Sequence, residues 1–125
     1  MKKLISISLV LIFGLCLLSF APVVFAQDPG DIDIAMIVKQ SDPWFDDMEA
    51  GIKRYKEETG VNAYVLTPES GDPALQISIM EDLISQGVDG ITIVPNDPKA
   101  MIPTIEKARD AGIVVVTHEA PDIAE

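Results

Sequence analysis

The sequence has one cysteine, one histidine and one tryptophan in 125 residues, and nine basic residues to twenty acidic ones. Each scarcity excludes something. The cysteine, Cys16, sits inside the apolar run LISISLVLIFGLCLLSF, which follows Lys2 and Lys3 and precedes Val24-Phe25-Ala26. A short positive start, an apolar run and small or short residues at its end predict a secretory signal peptide over residues 1–26, cleaved after Ala26. A transmembrane anchor is the alternative for the run, but no basic cluster follows to hold it in a membrane. A lipoprotein signal fits poorly, because Phe13, Gly14 and Leu15 stand where small residues should precede Cys16. The mature chain is thus expected to begin at Gln27, in a periplasmic or extracellular space. It then carries no cysteine, so no disulfide braces it and a packed core must hold it. At about one small domain, it would bury roughly 60–65% of its unfolded surface, enough to fold with little to spare.

Basic residues are the second scarcity. Past residue 26 there are seven against twenty acidic, a net charge of −13. That surface repels phosphate backbones and anionic lipid heads, so neither nucleic acid nor a membrane surface is an expected partner. The single histidine, His118, stands beside Glu119, but neighbours on a strand point to opposite faces, so no metal site is expected there. There is no nucleophile motif, no phosphate-cradling glycine loop and no histidine–carboxylate array. No catalytic residue and no cofactor are therefore expected, and the chain does not read as an enzyme. Asp46, Asp47 and Glu49 are most simply partners of a helix N-terminus, as Lys53, Arg54 and Lys56 are of its end.

What is present is alternation. Asp31–Val38, Asn62–Thr67, Gly90–Pro95 and Ile113–Thr117 are short strand candidates rich in β-branched residues. Between them lie three amphipathic helices, with apolar stripes of Phe45, Met48, Ile52 and Tyr55, then Leu75, Ile79, Met80, Leu83 and Ile84, then Met101, Ile102, Ile105 and Ala108. Asp42-Pro43, Asp72-Pro73 and Asp97-Pro98 open the helices, because Asp caps a free N–H and Pro at the first helical position loses no hydrogen bond. Gly60, Gly87 and Gly112 close them. Pro103 falls inside the third and is expected to kink it or delay its start.

This alternation predicts an α/β fold, a doubly wound parallel sheet. With strand order 2-1-3-4, a topological switch point falls between the first and third strands, and ligands of such sheets sit outside the carboxyl ends there. Those ends are Lys39 to Phe45 and Pro95 to Asp97. Phe45 belongs to an apolar stripe, so it can serve the core or a ligand; Trp44 falls off the stripe and is freer to face the crevice.

The segments IVKQSDPWFDDMEAGIK and EDLISQGVDGITIVPNDPKAMIPTIEKARDAGIVVVTHEAP resemble the type I periplasmic sugar-binding proteins of ABC transporters, the ribose-, rhamnose- and autoinducer-2-binding group. The resemblance implies two α/β lobes closing on a small polar ligand, of which this stretch covers part of the N-terminal lobe, residues 27–125. It implies a sugar or sugar-like ligand and a permease in the inner membrane as partners. It implies Trp44 and Phe45 as a stacking pair, Asp42 as a hydroxyl partner, Lys39 as a contact of the rhamnose and autoinducer-2 branch, and Asn96, Asp97 and Glu119 along the same crevice. A carboxylate in a closed cleft accepts short charge-assisted bonds from hydroxyls, and a flat aromatic covers the apolar ring face. Where the ribose pattern has Asp-Arg after the fourth strand, this chain has Glu119-Ala120, which argues against ribose itself. The chain reads as a fragment or truncated product, with Val114–Thr117 as an apolar edge. A periplasmic sensor for a chemoreceptor or histidine kinase is the alternative function. A receiver-type phosphoryl acceptor shares the architecture, but export and the Pro-Asn end of the third strand disfavour it.

Overall fold

In the computed structural model, which describes residues 27–120 and Ile123, the β-branched runs form four strands: β1 Asp33–Ile37, β2 Asn62–Leu66, β3 Gly90–Ile93 and β4 Val114–Thr117. The signal peptide expected over residues 1–26 lies outside the described residues. All pairings are parallel and the order is β2-β1-β3-β4. Three helices connect the strands: α1 Asp46–Thr59, α2 Pro73–Gln86 and α3 Pro98–Asp110.

The period of two along each strand sorts its side chains onto two faces. Ala35, Ile37, Ile91 and Ile93 meet Met80 and Leu83 of α2 and Met101, Ile105 and Ala108 of α3 in the main core. Each of these larger side chains, buried, contributes roughly 1.5–3 kcal/mol relative to exposure. On the opposite face Met36, Val38 and Val94 form a smaller cluster with Val65 and with Phe45, Met48 and Ile52. This side is thinly covered: α1 has no fully buried residue, and Tyr55, expected on its stripe, is 44% exposed. In register, Gly90 pairs with Val114 and Thr92 with Val116, which puts both valines on the α1 face. They are 66% and 55% exposed, while Val115 packs on the main core below. Leu75, expected on the α2 stripe, is 36% exposed, and the neighbouring Gln76 is fully buried.

The caps act mostly as the sequence implies. Asp72 Oδ1 accepts from the Ala74 N–H at 2.9 Å, and Asp97 Oδ1 from Lys99 and Ala100 at 3.0 and 3.1 Å. Gly60 and Gly87 end α1 and α2 at φ of 80° and 74°, where a Cβ would be strained. Two expectations shift. Asp42-Pro43 opens a separate 3-10 turn, Pro43–Phe45, closed by the Phe45 N–H donating to the Asp42 carbonyl at 2.9 Å, and α1 starts only at Asp46. Pro103 does not delay α3, which begins at Pro98. The bond Pro103 forgoes is the single one to the Lys99 carbonyl, and both residues are exposed, so water can serve that oxygen.

Candidate functional site

The two inner strands part company at their carboxyl ends. After β1 the chain turns to α1 on one face; after β3 it turns to α3 on the other. The backbone ladder ends where they separate, with the Val94 N–H donating to Ile37 O at 2.9 Å and the His118 N–H to Ile93 O at 3.0 Å. Beyond that point side-chain amides take over. Gln76 Nε2 donates to Val38 O at 3.0 Å and to Val94 O at 2.9 Å, and its Oε1 accepts from the Asn96 N–H at 2.8 Å. Asn96 Nδ2 then donates to Lys39 O at 2.9 Å.

The parting opens a cleft of about 350 Å³ lined by Lys39, Gln40, Asp42, Trp44, Phe45, Asn96 and Glu119. Six of the seven residues expected at the site from sequence are among them. The seventh, Asp97, does not line it; its carboxylate is turned to the first turn of α3 as a cap. Asp42 has both aspects: Oδ1 accepts from the Trp44 N–H at 2.9 Å while the side chain borders the cleft. That bond pins the tight turn. Phe45 is held half-buried against the Met36, Val38 and Val94 cluster, and Trp44 projects with 71% of its surface exposed. One aromatic therefore anchors the turn and its neighbour is free to present a flat apolar plate.

Across the cleft Lys39 Nζ donates to Glu119 Oε2 at 3.0 Å, and the two side chains remain 35% and 43% exposed. An ion pair this wet contributes at most ~1 kcal/mol, so a polar ligand can replace it at small cost. Glu119 adopts φ 55°, left-handed for a residue with a Cβ, at a cost of about 1–2 kcal/mol. That backbone sets its carboxylate over the lysine instead of continuing β4. His118 donates its backbone N–H to β3, and among the described residues no three His, Cys, Asp or Glu side chains gather as a metal would need. What the cleft offers is an apolar plate and a rim of donors and acceptors.

Two residues were not singled out from sequence. Gln40 lies within the Lys39–Phe45 strand end already expected to border the crevice. Gln76 carries a subtler signal: it occupies a position four and seven residues before Met80 and Leu83, on the buried stripe of α2, where a polar residue calls for partners.

Comparison with known proteins identifies the family and the fold. A family model described as periplasmic binding protein domain matches residues 34–125. The chain is 38% identical over 104 residues to a D-ribose/D-allose-binding protein of Pseudomonas aeruginosa, covering 78% of this chain and 33% of that one. It is 32% identical over 124 residues to the ribose import binding protein RbsB of Bacillus subtilis, covering 94% of this chain and 40% of the relative. Among solved structures, an ABC transporter solute-binding protein from Burkholderia graminis in complex with D-arabinose superposes with a TM-score of 0.71 at 38% identity, covering 74% of this chain and 32% of that one. The chain thus spans between about a third and two fifths of the length of these relatives.

Proposed function

The chain belongs to the periplasmic binding protein domain family, and from that premise we propose that it forms part of a solute-binding protein that captures a sugar or sugar-like molecule for an ABC permease. In this reading the protein acts in the periplasm after removal of residues 1–26, and it binds without catalysing a reaction. The observation that carries the proposal is the pairing, in one cleft at the switch point, of the exposed Trp44 plate with the polar rim of Lys39, Asp42, Asn96 and Glu119. A sugar has the matching duality: C–H faces that an aromatic ring covers, and hydroxyls that both donate and accept.

The roles follow from chemistry. Trp44 stacks on the ring face while Phe45 braces the turn beneath it. Asp42 and Glu119 accept from hydroxyls, Lys39 donates, and Asn96 presents its remaining amide oxygen. The Lys39–Glu119 pair pre-sets both charges, so a pair of neighbouring hydroxyls bridging them leaves neither charge unpartnered. Asp97, by this reading, serves the site through the α3 cap more than by direct contact. Family membership separates the chain from receiver domains of the same strand order, and nothing in the cleft favours a sensor over a transport receptor.

The test is calorimetric titration of the protein as its source produces it with D-ribose, D-allose, D-arabinose and L-rhamnose. Saturable heat with at least one sugar is expected. Flat titrations with all four, from a folded sample, would remove the sugar-receptor reading.

A further inference from the structure

The buried amide of Gln76 has no role in stacking or hydrogen bonding to a ligand, since it is fully buried and does not line the cleft. Yet every one of its bonds ends on the two loops that form the cleft. Its two N–H groups reach the carbonyls of Val38 and Val94, the residues that follow β1 and β3, and its oxygen receives the N–H of Asn96. In a parallel sheet those carbonyls would be served by the next rung of the ladder. At the switch point the strands diverge and no such rung exists, so two buried acceptors are left facing a gap. The NH2 group of a primary amide, with two hydrogens in a fixed fork, fits two acceptors at once. Asn96, seated by this bond, repeats the device one residue further out by donating to the Lys39 carbonyl.

We propose that Gln76 is a positioning residue of the ligand site. It acts as a side-chain rung that extends the β1–β3 ladder past its natural end and sets the spacing between the Lys39–Asp42 loop and Asn96. The inference deepens the sugar-receptor reading and rests on it for the affinity readout, but the spacing itself is testable without ligand. A hydrophobic residue of like length at position 76 fills the same volume and makes none of the three bonds. Gln76→Met therefore leaves α2 packed on the sheet and frees the loops. Gln76→Glu keeps an acceptor for Asn96, but protonated, as burial favours, it has a single O–H and can serve only one of the two carbonyls, so the bridge is broken on one side.

Two measurements on the protein as its source produces it decide the matter. Amide hydrogen exchange, read by NMR, is expected to show Asn96 losing at least about tenfold protection in Gln76→Met while Ile91 and Ile93 of β3 keep theirs. Titration with D-ribose, D-allose, D-arabinose and L-rhamnose is expected to show at least about tenfold weaker binding of whichever sugar the unaltered protein takes, for both variants. If protection falls evenly across the sheet, or if sugar affinity stays within twofold while the melting temperature drops, Gln76 serves the core alone and the proposal fails. If both variants fail to fold, its role is in folding and the proposal also fails. Should the unaltered protein bind none of the four sugars, the sugar-receptor reading falls, while the exchange pattern at Asn96 still decides whether Gln76 spaces the loops.

Discussion

Trp44 keeps 71% of its surface in solvent and makes no contribution to either apolar cluster, whereas Phe45 next to it packs on Met36, Val38 and Val94. Adjacent aromatics on one turn thus have separable roles. Trp44→Ala is expected to weaken sugar binding by roughly five- to tenfold, the worth of an aromatic contact of about 1 kcal/mol, and to leave the melting temperature unchanged within error. Calorimetry and a thermal melt on one sample check both halves; unaltered affinity would end the stacking role. Asp42 can be dissected in the same way, since Asp42→Asn keeps the cap on the Trp44 N–H and alters only the charge offered to a ligand. Away from the cleft, the Tyr64 phenol on β2 is pushed above its ordinary value by burial and, secondarily, by the nearby Asp33 carboxylate. The unfolded chain ionises first as pH rises, so below about pH 10 this group leaves stability flat, and above it stability declines. Tyr64→Phe is expected to lessen that alkaline decline, and urea unfolding between neutral and alkaline pH measures it.

At the scale of elements, the three Asp-Pro pairs share a sequence signature but not a structure. Asp72 and Asp97 cap α-helices, while Asp42 caps a 3-10 turn that delays α1 by three residues. That delay matters for the cleft, because the tight turn is what carries Trp44 and Phe45. Asp97 was expected from its family resemblance to face the ligand, yet its bonds to Lys99 and Ala100 tie it to α3. Asp97→Ala is therefore expected to lower stability by about 1 kcal/mol, read as a shift in the urea midpoint at constant slope. Sugar affinity of the same variant should change far less than that of Trp44→Ala; a comparable loss would return Asp97 to the contact set.

On the largest scale, residues 27–125 are strongly acidic, and the sheet of the described residues is unevenly covered. Residues 27–125 carry a net charge of −13, which keeps copies apart at low salt. At ~0.15 M salt the Debye length shrinks to about 8 Å, and short-range attraction at an apolar edge strand gains on the repulsion. Val114 and Val116, exposed on the α1 face of β4, which is an edge strand among the described residues, are where such attraction would act. Residues 27–125 produced alone are expected to self-associate more as salt rises, and Val116→Lys to reduce it. Sedimentation velocity at two salt concentrations checks this; salt-independent sedimentation of both forms would place the balance elsewhere.

Strand and helix identities, the parallel sheet and the end at which the strands open a cleft were all legible from local signals. Period two against period 3.6, β-branched runs and Asp-Pro and Gly caps act within a few residues of themselves, and a sheet of alternating elements has few ways to wind. The position of Trp44 off the apolar stripe was legible for the same reason. Other features depend on contacts between segments far apart in sequence. The pairing of Lys39 with Glu119 joins residues 80 apart, and it requires a left-handed backbone at a residue type that rarely takes one. Whether Asp97 faced helix or cleft turned on where the first N–H groups of α3 came to lie. Gln76 was not singled out from sequence, and its bonds exist only because the fold sets two strand ends diverging in front of it. Local pattern, then, determined the elements and their order. Only the tertiary structure decided which polar groups meet, because a hydrogen bond depends on both partners arriving at one place, and the fold alone brings them there.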